Sequence, residues 1–295
     1  MYLKDLIARS AACLTQYPER EAREMVFLLL EHLIGTKKHT HIIEPSYEVS
    51  DADVPMVQAA CTRLAAGEPL QYVIGKAAFY GRDFNVSPSV LIPRPETEIL
   101  CRTALDVLKD AGKGSDVRIL DLCTGSGCIA WTMALECPGA SVTAVDISDA
   151  ALGVAGTQDF SVEMQQTGSK APAFIKSDVL CHPSASFCNS ESPAFDLILS
   201  NPPYVMDKEK ALMRPNVLEH EPHLALFVSD DDPLVFYRAV AQWASVLLAS
   251  NGTGIVEINE ALGSETAQVF LDAGFTTAEV IRDFSERDRF VLFRP

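Results

Sequence analysis

The sequence predicts an α/β protein: a doubly wound, mostly parallel sheet with an antiparallel edge hairpin, preceded by a small helical domain. Three observations carry this reading. Residues 1–75 repeat apolar positions at helical spacing; from about residue 95, short apolar or β-branched runs alternate with helix-length segments; and the first of those runs ends in a glycine-rich turn. At 295 residues and 48% hydrophobic composition the chain is long enough to bury a substantial core.

Taken in order, Ala22, Met25, Val26, Leu29, Leu30 and Leu33 mark one helix after Pro18-Glu19, with Gly35 as its stop. A second helix is expected from about Val54-Pro55 to Ala66, because proline suits a first turn and Gly67 an end. Residues 1–75 therefore read as a helical bundle. Phe79–Val86 places Gly81 between apolar residues and reads as a hairpin, within a linker spanning 76–94. The remainder, 95–295, carries the strands Val117–Leu122, Val142–Val145, Phe174–Ile175, Phe195–Leu199 and Gly254–Ile258, then the runs Ala278–Ile281 and Phe290–Phe293 separated by a charged turn. The last two fit an antiparallel edge hairpin. Ser184–Ser192 reads as a surface loop.

The formal charge is −16, and it is uneven: residues 1–85 hold nine Lys/Arg against eleven Asp/Glu, residues 86–295 fifteen against twenty-nine. A larger part that repels polyanions argues against stable nucleic-acid binding. The eight cysteines show no C-x-x-C pairing and the six histidines are scattered, so no metal site is predicted and the cysteines read as small buried thiols. The first ten residues mix acid and base with apolar positions, and no run approaches the roughly 18 apolar residues of a membrane span. A cytoplasmic, monomeric protein is the expectation.

The first strand runs into Asp121-Leu122-Cys123-Thr124-Gly125-Ser126-Gly127-Cys128-Ile129-Ala130, so the glycines fall where an α/β sheet opens its cofactor crevice. Asp146 follows Gly127 by nineteen positions, at the end of the next strand, where a carboxylate can accept from both ribose hydroxyls. Gly125 to Ala130 also satisfies the dinucleotide fingerprint G-x-G-x-x-A. Two residues favour S-adenosylmethionine over a nicotinamide. Asp121 suits the ammonium of a methionine tail and would repel a pyrophosphate, and Asp178, after the third strand, suits the adenine amino group.

The fourth strand leads directly into Asn201-Pro202-Pro203-Tyr204. Two prolines fix φ and remove two donors, giving a stiff loop in which the Asn201 carboxamide oxygen and the Pro202 carbonyl can accept from a planar NH₂ group. An amide or aromatic amine is a poor nucleophile because its lone pair is delocalised. Holding its N–H bonds and turning the lone pair toward a sulfonium methyl is then most of the catalysis. Tyr204 can lie against the planar group, and Asn201 also borders the cofactor. Asn201, Pro202 and Tyr204 are the predicted catalytic residues, with Pro203 completing the substrate clamp.

Arg63–Gly75 (Arg-Leu-Ala-Ala-Gly-Glu-Pro-Leu-Gln-Tyr-Val-Ile-Gly), Phe79-Tyr80-Gly81 and Val90–Glu98 (Val-Leu-Ile-Pro-Arg-Pro-Glu-Thr-Glu), together with Asn201–Tyr204, resemble the release factor glutamine methyltransferases, a branch of the Rossmann-like class I methyltransferases. The resemblance spans nearly the whole chain. It implies transfer of a methyl group from S-adenosylmethionine to the N5 side-chain amide of the glutamine in the Gly-Gly-Gln motif of peptide chain release factors. It maps the cofactor loop onto Cys123, Thr124, Gly125, Ser126 and Gly127, the ribose acid onto Asp146, the adenine side onto Asp178 and Val179, and the clamp onto Asn201–Tyr204. Cys123 departs from a frequent glycine, so its β-carbon is expected to point away from the cofactor. The stretch Glu219–Phe227 resembles the family's segment after the clamp. Arg94 and Glu96 are expected to be structural or gating, and Tyr72 and Phe79 to pack between the parts. The alternative is an amino-methyltransferase acting on adenine or cytosine in DNA or RNA, which shares the clamp but calls for a basic groove.

Overall fold

The computed structural model describes residues 1–114, 116–184, 187 and 195–295; apart from Ser184 and Phe187, the loop predicted at Ser184–Ser192 lies outside them. Two compact units divide the chain. One comprises Met1–Lys76 with Arg214–His220, the other Ala77–Met213 with Glu221–Pro295.

In the first unit, α1 (Leu3–Ala12), α2 (Glu19–Ile34), α3 (Thr40–Ile43), α4 (Asp53–Ala65) and α5 (Leu70–Ile74) follow in order. Leu6, Val26, Leu29, Leu30, Val57 and Leu64 form its core. Gly35 stops α2 where the sequence puts it, and Gly75 ends α5, which the sequence reading did not single out; both adopt left-handed caps, a conformation that glycine reaches without a Cβ penalty. Between α4 and α5, Arg63 bridges the turn. Its guanidinium pairs with Glu68 and donates to the Tyr72 and Val73 carbonyls at 3.1 and 3.2 Å, satisfying groups at the end of a helix too short to do so itself. This explains why Arg63, Glu68 and Gly75 occur together.

From Ala77 on, the hairpin β1 (Lys76–Phe79) and β2 (Arg82–Asn85) belongs to the second unit. Its two-residue turn, Tyr80-Gly81, has positive φ at both positions (51° and 74°), the twist that a tight hairpin favours. Phe79 and Phe84 enter the unit's core, while Gln158 accepts from the Asn85 N–H and donates to the Ser126 carbonyl. The hairpin is thus tied to the glycine loop.

There follow α6 (Pro95–Asp110), β3 (Arg118–Leu122), α7 (Cys128–Glu136), β4 (Ser141–Asp146), α8 (Asp149–Gly156), α9 (Ser161–Thr167), β5 (Ala173–Lys176), β6 (Phe195–Ser200), β7 (Val205–Met206), α10 (Pro215–His220, in the first unit), β8 (Phe227–Val228), α11 (Val235–Leu247), β9 (Leu248–Glu257), α12 (Gly263–Asp272), β10 (Thr277–Arg282) and β11 (Asp288–Arg294). Seven of the strands form one sheet in the order β10-β11-β9-β6-β3-β4-β5. Pairing is parallel from β9 to β5 and antiparallel for β9–β11 and β11–β10, as the sequence predicts. From β3 the chain steps outward through β4 and β5 and then returns to β3's other side with β6. That reversal opens a crevice at the carboxyl ends.

Two features depart from the expected elements. β9 begins at Leu248, six residues before the predicted run, and its pairing with β6 shifts register between Phe195 and Leu197. The two-residue strands β7 and β8 pair in parallel as a separate ribbon, too short for any periodicity to announce. Among the described residues no helix is long and apolar enough to cross a membrane.

On β9 Gly254 faces Phe293 on β11, and a Cβ there would lie 2.0 Å from the ring. The fully buried ring occupies the space that a side chain at 254 would need. Gly254→Ala is expected to cost about 3 kcal/mol by overpacking, read as a lowered urea midpoint; an unchanged midpoint would show that the sheet yields at no cost.

Candidate active site

A cavity of about 320 Å³ lies in the second unit at the carboxyl ends of β3, β4, β5 and β6. The sheet's turn-back fixes its place, and four strand tips supply its polar groups.

After β3, Cys123, Thr124, Gly125 and Ser126 form one wall. The turn is held by the Thr124 N–H donating to the Val145 carbonyl and by the Gly125 N–H donating to Asp146 Oδ2, at 3.0 and 2.9 Å. Gly127 begins α7 with φ 80°, and a Cβ there would meet Ala155, Trp131 and Phe174 at 3.1–3.3 Å. Glycine lets the helix close against its neighbours; Gly127 itself is outside the lining. Cys123 has φ 61°, the left-handed region, which accounts for glycine being the easier residue there. The residue lines the cavity and packs against the core. Burial raises its thiol well above the ordinary range and pushes Cys128, also in the lining, up to about 12, so both stay protonated.

Asp146, at the end of β4, lines the cavity with Oδ1 accepting from the Ser148 N–H and Oδ2 from the Gly125 N–H. Each oxygen keeps a lone pair for a further donor. Burial raises this carboxyl, against the hydrogen bonds from Ser148 and Gly125. Asp178, beyond β5, also lines the cavity and accepts from the Leu180 N–H at 2.9 Å, with buried Val179 beside it. Asp121 does not reach the wall. It is fully buried, and its Oδ2 accepts from the Thr124 hydroxyl and the Ala130 N–H at 2.5 and 3.2 Å. Its Oδ1 has no hydrogen-bond partner among the described residues. Burial pushes this carboxyl up to about 7.

From β6, Asn201 and Pro203 line the cavity, whereas Pro202 and Tyr204 do not. The Tyr204 hydroxyl donates instead to Glu257 Oε1 at 2.9 Å, and burial beside that carboxylate keeps the phenol protonated. Glu257, the last residue of β9, is 1% exposed, and its Oε2 accepts from the Thr97 hydroxyl at 2.7 Å. Thr97 lines the cavity and accepts from Asn201 Nδ2 at 3.2 Å. Sequence reasoning missed Thr97 and Glu257. The available signal was a lone acid inside the apolar run Gly254–Ile258.

Arg94 lines the cavity and pairs at 2.7 Å with Glu221, a buried carboxylate that also accepts from the Ile92 N–H. This pair fastens the segment after β7, from which Pro222, Leu224 and Ala225 join the lining. Glu96 is absent from the lining.

Residues 5–75 match the PrmC N-terminal domain and residues 100–221 the Methyltransferase small domain. A protein of Flavobacterium psychrophilum named release factor glutamine methyltransferase is 35% identical over 93% of this chain and 92% of its own length. One of the same name from Chlorobaculum tepidum is 35% identical over 97% of this chain and 94% of its own. The chain belongs to the release factor glutamine methyltransferase family. Among solved structures, human methyltransferase 10 domain containing protein shares the fold, with a TM-score of 0.50 and 13% identity over 73% of this chain and 89% of that one. Here a single cavity joins the glycine loop and its acids to the first residue of the Asn-Pro-Pro-Tyr loop.

Asp121 gives this methyltransferase a measurable pH signature. A carboxyl that titrates higher when folded than when unfolded contributes most to stability at low pH, and the contribution is lost as pH rises from about 4 to about 7. The stability difference between wild type and Asp121→Asn, from urea titrations, should therefore move against the wild type across that window and flatten above it. A difference constant with pH would contradict the buried, raised carboxyl.

Proposed function

We propose that this protein methylates the N5 side-chain amide of the glutamine in the Gly-Gly-Gln motif of peptide chain release factors, with S-adenosylmethionine as donor. The observation that carries the reading is that one cavity is lined by the Gly125 loop, Asp146 and Asp178 on one side and by Asn201 and Pro203 on the other.

The residues present fit such a donor. Open space at the Gly125 Cβ position lets the backbone approach a ligand, and the buried Asp121 Oδ1 is an unused acceptor beneath the loop. In this reading the backbone of Cys123–Gly127 and the negative charge of Asp121 hold the amino-acid tail. Asp146 takes the ribose hydroxyls, and Asp178 with Val179 takes the adenine. When bound, the donor supplies an electrophilic methyl on a sulfonium.

The chain's own contribution is orientation. The Asn201 carboxamide oxygen and the Pro202 carbonyl accept the two N–H bonds of the glutamine amide, which removes rotational freedom and aims its nitrogen lone pair. Pro203 and the apolar lining exclude water, and Tyr204, held by its hydroxyl on Glu257, stiffens the loop. The amide proton becomes acidic only as the N–C bond forms and leaves to solvent afterwards, so no strong base is required. The acidic balance of the larger part supports a protein substrate over a nucleic-acid one. The same reading makes the enzyme a cytoplasmic monomer.

The test is methyl transfer from labelled S-adenosylmethionine to a bacterial release factor, to its variant with the tip glutamine changed to alanine, and to duplex DNA. Label on the wild-type factor alone supports the proposal. Label on DNA alone replaces it with the amino-methyltransferase reading. Asn201→Ala should lower turnover by roughly 100-fold or more while cofactor affinity by calorimetry stays near wild type; full turnover would remove the clamp. Asp146→Ala should weaken cofactor binding about tenfold or more, as expected for a lost charge-assisted hydrogen bond; an unchanged Kd would remove the ribose assignment.

A further inference from the structure

Asn201 can serve as a clamp only if its carboxamide is turned the right way, because its oxygen and nitrogen are similar in shape and opposite in role. In this structure the decision is made outside the loop. Asn201 Nδ2 lies 3.2 Å from Thr97 Oγ1, and Thr97 Oγ1 lies 2.7 Å from Glu257 Oε2. The other carboxylate oxygen, Oε1, accepts from the Tyr204 hydroxyl. Thr97 is 2% exposed and Glu257 1%.

The polarity of this chain of bonds runs one way. Thr97 has a single hydroxyl proton, and the strongest acceptor within its reach is a buried carboxylate; such charge-assisted bonds are about twice as strong as neutral ones. With that proton committed to Glu257, Thr97 Oγ1 can only accept. A flipped Asn201 would set its oxygen against an oxygen that has no proton to give, or would take the proton from Glu257 and leave a buried carboxylate oxygen unsatisfied. Nδ2 therefore faces Thr97, and Oδ1 is left for a donor in the cavity that Asn201 and Thr97 both line.

We propose that Thr97 and Glu257 are positioning residues, which fix the Asn201 carboxamide with its oxygen toward the substrate amide. The inference rests on the clamp reading above and adds to it the origin of the clamp's polarity. Glu257 plays a double part, since the same carboxylate anchors the first and last residues of Asn201–Tyr204: Asn201 through Thr97, and Tyr204 directly. The two groups come from the first turn of α6 and the end of β9, 160 positions apart.

The experiment compares wild type, Thr97→Val, Thr97→Ser and Glu257→Gln in the full-length protein. Four readouts are taken: kcat and KM on a release factor, S-adenosylhomocysteine affinity by calorimetry, the urea midpoint, and the Asn201 side-chain ¹H–¹⁵N signals, identified by their loss in Asn201→Ala. Thr97→Val should lower kcat roughly 100-fold, change the cofactor-product Kd far less than it changes kcat, and shift the Asn201 signals. Thr97→Ser keeps the hydroxyl and should restore both kcat and the signals. Glu257→Gln presents a donor to one of its two hydroxyl partners and should reproduce the valine phenotype. The idea fails if Thr97→Val keeps kcat with unmoved signals, or if serine does not restore what valine removes, because a purely structural threonine accounts for the latter. Wild-type protein that methylates no release factor would instead overturn the substrate reading, and the Asn201 signals would still decide the orientation.

Discussion

At the carboxyl ends of buried parallel strands the chain must leave the sheet before it reaches water, and its peptide groups still need partners there. The site is a consequence of how that constraint is met. Ser200 donates to the Leu122 carbonyl at 2.8 Å, tying the tip of β6 to that of β3. Asp146 accepts the Gly125 and Ser148 N–H groups, Asp121 accepts the Ala130 N–H, and the Ser177 N–H donates to the Asp146 carbonyl. The acids of the cavity are therefore held by the bonds that let the strands end. Their positions are set before a ligand arrives, which is the condition under which electrostatic positioning is most effective.

The parallel strands are legible in the sequence because burial on both faces removes alternation and leaves short apolar runs. The first strand's Ile119, Leu120 and Leu122 are all fully buried. The glycine loop and Tyr80-Gly81 are legible because their backbone demands exclude most residues. Cys123 is instructive in the other direction: it takes a left-handed φ without being glycine, and it lines the cavity while packing against the core.

Direction is what strand periodicity does not supply at a tip, where the chain leaves the pleat. Asp121 and Tyr204 both stand where a ligand-facing residue is expected, yet Asp121 is buried beneath Thr124 and Tyr204 reaches for Glu257. Thr97 and Glu257 could not be paired from sequence at all. One looks like an ordinary first-turn threonine after Pro95, the other like a lone acid inside the run Gly254–Ile258, and only the fold brings them together. The assignment of Arg214–His220 to the helical unit is hidden for the same reason: a six-residue helix carries too little pattern to show what it packs against.

Charge then separates the two cofactors that the glycine loop admits. Burial raises Asp121, Asp146 and Glu257 above the ordinary carboxylate range, and among the described residues none of the three has an ion-pair partner. The cation in the lining, Arg94, is already committed to Glu221. A dinucleotide brings a pyrophosphate, whose negative charge would add to that of the loop acids and raise their cost further. A ligand with an ammonium and a sulfonium does the opposite. It lowers the free energy of the ionised acids, so binding and the ionisation of Asp121 favour each other. The fingerprint G-x-G-x-x-A describes a backbone that can approach a ligand closely; the charge of Asp121, four positions before its first glycine, and of Asp146 sets which sign of ligand charge is favoured beside that backbone.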